Sequence, residues 1–122
     1  MKATELELEI RREGLLKKTA TLTDVLSACT VAAGAARRHK RLALQACNGL
    51  PKEYDTARKE WHMGLTEEDS ARIDSQMAKA RDDARIALKA ILTPGLEYDF
   101  RNDHAYCMVR VRDKANRRAF AL

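Results

Sequence analysis

Residues 23–47, TDVLSACTVAAGAARRHKRLALQAC, constrain this chain more than any other stretch. Taken at alternating three- and four-residue steps, Val25, Ala28, Ala32, Ala35, His39, Leu42 and Ala46 fall on one seam. That period lines one face of an α-helix, and alanine at most seam positions lets a second helix approach unusually closely. Both ends are signalled. Thr23 offers a cap oxygen, Asp24 puts a negative charge in the first turn, and Leu22 is placed to staple. Asn48-Gly49 followed by Leu50-Pro51 reads as a left-handed stop with proline behind it. The spacing predicts a helix over 23–47 whose second half carries Arg37, Arg38, Lys40 and Arg41.

A second seam runs through residues 65–92, where Ile73, Met77, Ala80, Ala84, Ala87 and Ile91 repeat the period. Leu65-Thr66-Glu67-Glu68-Asp69 opens it with a threonine cap and three carboxylates in the first turn, and Thr93-Pro94-Gly95 ends it. Two long alanine-lined helices are natural antiparallel partners. Their third face must be covered by a first helix or by a second copy of the chain, and an Ala seam left exposed would serve as a dimer surface. Thr4 with Glu7 resembles a capping box, and Leu6, Ile10 and Leu15-Leu16 suit a first amphipathic helix over 4–18. Gly14 weakens that helix, and the alternation in 5–10 leaves a strand open for that piece. After Pro51, KEYDTARKEWHMG predicts a short helix with Tyr54, Ala57 and Trp61 on one face.

From Gly95 the pattern changes. Residues 96–100 and 105–111 read as strands, with Tyr106, Met108, Arg110 and Arg112 on one face and Cys107, Val109 and Val111 on the other. Turns at 101–104 and 113–116 lead to a last strand around 118–122. The expected fold is a single mainly α (α+β) domain. An Ala-rich antiparallel bundle of three to four helices fills residues 1–94, and a small antiparallel β-meander fills 95–122.

Composition agrees with a bundle. Of 122 residues 45% are hydrophobic, yet only one Trp, three Tyr and two Phe are aromatic, too few for a typical sandwich core. The formal net charge is +5 and unevenly spread: residues 34–62 hold seven basic and three acidic groups, residues 63–94 five and six. Cys29, Cys47 and Cys107 are odd in number and lack paired spacing, which points to free thiols in a reducing interior. Residues 1–10 alternate acidic and apolar side chains instead of presenting a basic start and an apolar run, so no signal peptide is expected. No apolar stretch approaches the roughly 20 residues of a membrane span. The expected location is the cytoplasm, that of the host cell if the chain is phage-encoded.

Little here suggests chemistry. His104 and Cys107, with Asp103 adjacent, are one loose pair where zinc needs four ligands in fixed geometry. Cys29 and Cys47 lie on or near helical seams, where a cysteine is ordinarily a small buried hydrophobe. His39 sits among alanines, the setting of a packed, hydrogen-bonded imidazole. No glycine-rich phosphate loop, nucleophile elbow, HExxH or paired zinc cysteines occurs. The expectation is a non-enzyme without cofactor or metal.

Surfaces carry the functional reading. Arg37, Arg38 and Arg41 project within one turn of one another and Lys40 extends the patch; a second cluster is Arg110, Arg112, Lys114, Arg117 and Arg118. Clustered cations of this kind suit phosphates, with affinity that falls steeply as salt rises. The single Trp61 suits a core anchor first, and otherwise, with Tyr54, an aromatic anchor of a protein interface. No helix-turn-helix or RNA-binding aromatic signature accompanies the clusters, so base-specific readout is not expected.

Residues 9–51 and 64–92 resemble the helical middle region of small terminase subunits of tailed phages. The resemblance rests on Arg12-Glu13-Gly14-Leu15, Asp24-Val25, the basic run from Arg37 to Arg41, and Leu42-Ala43-Leu44 with Leu50-Pro51. The family's usual leading helix-turn-helix has no room before Thr23, and the basic terminal meander has no counterpart in it. The resemblance implies a ring or dimer that recruits double-stranded DNA to a packaging motor and has no catalytic residues of its own. A compact, motif-free charged chain also suits a different class, a phage-encoded inhibitor of host defence of the anti-CRISPR type. Such a protein acts by covering a working surface of its target.

Overall fold

A computed structural model of the chain describes residues 2–48, 53–55, 60–62, 66–99 and 109–122. Among them are three helices, α1 (Ala3–Glu13), α2 (Leu22–Asn48) and α3 (Glu67–Ile91), a hairpin of β1 (Glu53–Asp55) and β2 (Glu60–His62), and a sheet of β3 (Glu97–Asp99), β4 (Arg110–Asp113) and β5 (Arg118–Ala121). The mainly α architecture with a terminal antiparallel meander is the expected one. No helix among the described residues is long and apolar enough to cross a membrane.

The two seams pack on each other. α2 and α3 run antiparallel, with Asp24 level with Ile91 at one end and Leu42 beside Ala80 further along. Val25, Ala28, Ala32, Ala35, His39 and Leu42 are buried on α2; Ile73, Met77, Ala80, Ala84, Leu88 and Ile91 are buried on α3. Leu88 takes a deep position and leaves Ala87 half-buried, because the straight 3.6-residue helix drifts off a strict heptad over six turns. Both alanine seams thus lie inside the protomer.

Helix boundaries follow capping chemistry more closely than the periodic pattern does. α2 is capped by Thr21, not Thr23: Thr21 Oγ1 accepts from Asp24 N at 3.1 Å, and Asp24 Oδ2 accepts from Thr21 N at 3.4 Å. A capping box needs a carboxylate or amide three residues after the cap, and Thr23 would find Leu26 there. Leu22 consequently enters the helix and lies 73% exposed instead of stapling it. α1 begins before Thr4, with Lys2 N donating to Glu5 Oε2 at 3.2 Å, and Glu7 is taken by Arg11 one turn on. It ends at Glu13, not Lys18, because Gly14 adopts a left-handed φ of 65°. Gly14 N–H then reaches Arg11 O and Leu15 N–H reaches Ile10 O, with Leu15 and Ile10 both buried beside this stop. Residues 5–10 are helix, so the strand alternative falls away. The Thr66–Asp69 box opens α3 as its sequence predicts.

The segment after Pro51 differs most from expectation. In place of a short helix it contributes an antiparallel hairpin in which Tyr54 stands opposite Trp61. A separation of seven residues is two helical turns, yet it also makes a cross-strand pair when four residues form the turn. Aromatic residues prefer that cross-strand pairing, and a helix of so few turns is marginal in water. Ala57, the stop at 49–51, the turn at 101–104 and the strand positions 105–108 lie outside the described residues.

In the C-terminal sheet the order is β3-β4-β5, all antiparallel, with Tyr98 and Phe120 flanking Val111. Val109, Val111, Phe120 and Leu122 are buried and join Leu6, Ile10 and Leu15 in the main core, while Arg110 and Arg112 remain part-exposed on the other face. β5 packs on α1. An isolated bridge between Leu16 and Leu92, with Lys17 N donating to Ile91 O, ties the first connector to the end of α3.

Candidate polyanion-binding surface

α2 continues without interruption through Gly34, so Arg37, Arg38, Lys40 and Arg41 are fixed on consecutive turns of one rigid helix. All four are exposed, and His39 among them is buried. That division is helical geometry: the core-facing arc takes His39 and leaves its neighbours to solvent.

α3 completes the face. Arg38 Nη2 lies 3.0 Å from Asp83 Oδ2, and Lys79 Nζ contacts the same carboxylate at 3.2 Å. Arg41, Leu42, Gln76 and Ala80 close a shallow cleft around these three groups, with a volume of about 380 Å³. Two cations therefore share a single carboxylate, with Arg41 in the wall of the same cleft, and both Arg38 and Lys79 keep much of their surface in water. Guanidinium forks and an ammonium so placed suit a phosphate oxygen as well as they suit Asp83.

Beneath the face, His39 Nε2 lies 3.3 Å from Arg81 Nη1. An arginine can only donate, so Nε2 accepts and the neutral ring carries its proton on Nδ1. Burial, and secondarily the Arg81 charge, hold the imidazole pKa below its ordinary value. His39 serves packing and holds Arg81 in place. Cys29 is equally quiet: burial, reinforced by Glu7, pushes its thiol up to about 11, which keeps it protonated and a poor nucleophile. Among the described residues no three His, Cys, Asp or Glu side chains group to hold a metal ion. His104, Cys107 and Asp103 lie outside the described residues.

The second basic cluster has a different setting. Arg112 Nε and Lys114 Nζ both lie 3.2 Å from Glu97, across the β3–β4 pair. Arg118 donates to Asp113 Oδ2 at 2.8 Å and to Gly14 O at 2.9 Å, where it meets the carbonyl end of α1 and fastens β5 to it. Hydrogen bonds from Asn116 and then Arg118 bring the Asp113 carboxyl down to about 2. Arg117 is exposed with a φ of 56° in the turn, and Arg110 is part-exposed. From Asp24, level with the sheet-bearing end of α3, α2 climbs about 21 Å to Arg38 at 1.5 Å per residue. The two clusters occupy different ends of the molecule.

Tyr54 and Trp61 are brought together as a cross-strand pair on the hairpin. Lys79 and Gln76 were not legible as site residues, since they lie about 40 positions from Arg38 in a segment of slight negative charge. The one sequence signal was the Lys79–Asp83 spacing, ordinarily a surface helix pair. No family model, no curated protein and no solved structure matches the chain, so its function is read from these residues and their geometry.

Proposed function

We propose that the chain is a non-enzymatic accessory protein, of the small-terminase-like kind, that binds double-stranded DNA or a DNA-processing assembly through the exposed face of α2. One observation carries this reading: Arg37, Arg38, Lys40 and Arg41 stand exposed on one helix, and Lys79 of α3 joins Arg38 at the Asp83 carboxylate. A rigid helix that presents four cations along one side matches the repeated phosphates of a duplex, and contacts of this type position a protein without reading sequence.

The test is duplex affinity titrated against salt. Binding should weaken linearly on a log–log plot with a slope near −0.9 per phosphate contacted. Arg37→Glu combined with Arg41→Glu leaves the Arg38–Asp83–Lys79 group intact and should abolish binding with the melting temperature unchanged. Retained affinity in that variant would exclude this face.

A second reading rests on the hairpin. Tyr54 opposite Trp61 places the two residue types most used as interface anchors on one short element. A protein target blocked sterically by this hairpin, as an anti-defence inhibitor would do, takes the lead if duplex binding is absent at low salt.

A further inference from the structure

With the alanine seams buried, α2 still carries another seam on its surface. Asp24, Ser27, Val31, Gly34 and Arg38 follow one another at three-, four-, three- and four-residue steps. The first three line a largely apolar groove between α2 and α3 of about 550 Å³, floored by Ser27, Ala28, Ala87 and Ala90, with Asp83, the ion-pair partner of Arg38, also in its wall. Its lips are Val31, 48% exposed, and Ile86, 66% exposed. α1 covers a different side of α2, the one bearing Cys29, where Glu7 and Arg11 act on the thiol.

We propose that this groove is the interface of a symmetric homodimer in which the α2 helices of two copies cross antiparallel at Val31. The argument is the order of charges along the stripe. Val31 is its midpoint, with Asp24 seven residues before it and Arg38 seven residues after it. A two-fold axis through Val31 reverses the second helix, so Asp24 of each copy meets Arg38 of the other. The surface is therefore complementary to itself, which an isologous interface requires. A parallel arrangement would instead set Asp24 against Asp24 and Arg38 against Arg38. Ser27 and Gly34, the small residues flanking Val31 on the stripe, let the backbones approach closely while Val31 and Ile86 fill the groove. A Cβ built on Gly34 meets no atom nearer than Arg37 Nη2 at 3.8 Å, which leaves this side open to a partner. Arg37, Lys40 and Arg41 lie off the stripe, whereas Arg38 is shared with the proposed polyanion-binding face, so dimerisation is read by sedimentation and not by duplex binding.

Sedimentation equilibrium of the full chain, from low micromolar concentration to the solubility limit, should give twice the 13.8 kDa protomer mass. Ile86→Glu should lower dimer affinity about tenfold or more while the circular dichroism and melting of the protomer persist. Two charge variants fix the register. Asp24→Lys places like charges at both contacts of its own dimer, and so does Arg38→Glu, so each alone should be monomeric where the parent is dimeric. Mixed together they restore opposite charges at both contacts and should form a heterodimer. A parent chain that stays monomeric throughout overturns the proposal, as does an Ile86→Glu variant that dimerises undiminished. Folded charge variants that fail to associate when mixed overturn the antiparallel register.

Discussion

The two basic clusters look equivalent as strings of Lys and Arg, yet the fold treats them differently. On the sheet, Arg112 and Lys114 share Glu97, and Arg118 is held by Asp113 and by the last carbonyls of α1. On α2, Arg37, Arg38, Lys40 and Arg41 are exposed, and Arg38 shares the Asp83 carboxylate with Lys79 at the surface. A cation with fixed acidic or carbonyl partners supports the protein's own architecture. One held at the surface of a rigid helix can exchange its partner for a ligand's phosphate at little cost. Charge density alone does not distinguish the two roles; the number and burial of acceptors around each cation do.

Substitutions can break that comparison at several points. The largest effect on stability belongs to Arg118→Ala, which removes charge-assisted bonds to Asp113 and to the end of α1. It should cost about 2 kcal/mol, read as a fall of several degrees in a thermal melt, with duplex binding unchanged. The converse, Arg37→Glu with Arg41→Glu, should leave the melt within about 0.5 kcal/mol of the parent and remove binding. If these two variants exchanged phenotypes, the assignment of architecture to the sheet and binding to α2 would be reversed.

Two smaller effects concern pH. The His39 pKa is lowered by folding, so the unfolded chain binds the proton more readily. Its stabilisation is complete above an unfolded value of about 6.5 and is lost as pH falls below it. Melting temperature should decline between about pH 7 and pH 5, and His39→Gln, which keeps an acceptor for Arg81, should remove that decline. Asp113 has the same sign at lower pH: its contribution is present above the unfolded 3.8 and fades as pH falls towards about 2. Least of all, Glu97→Gln should change stability by under about 1 kcal/mol, since its two ion pairs are well exposed. By releasing Arg112 and Lys114 it should raise duplex affinity, if only slightly, at low salt. That rise would convert part of the structural cluster into a binding one.

Much of the helical frame was legible because its signals are local. The seam from Val25 to Leu42, the Thr66–Asp69 box and the alternation of Val109 and Val111 each lie within a few turns or residues of chain. Gly14 was visible as a weak point of the first helix, and its left-handed conformation is what ends that helix. The hairpin was misread because a spacing of seven residues between Tyr54 and Trp61 satisfies both a helix face and a cross-strand pair. Local pattern cannot choose between them when the run is so short.

The sequence by itself determined where the two long helices run, which of their faces are apolar, and that Arg37, Arg38, Lys40 and Arg41 share one arc. Those properties follow from backbone periodicity and side-chain chemistry over short separations. Only the tertiary structure decided that Lys79 and Asp83 complete the cleft at Arg38, and that Arg118 fastens the sheet to α1. The reason is physical: long-range pairings are selected by burial and charge neutralisation between segments 45 to 105 positions apart, as Arg38–Asp83 and Arg118–Glu13 are. No local propensity encodes a partner that the chain meets only when it folds.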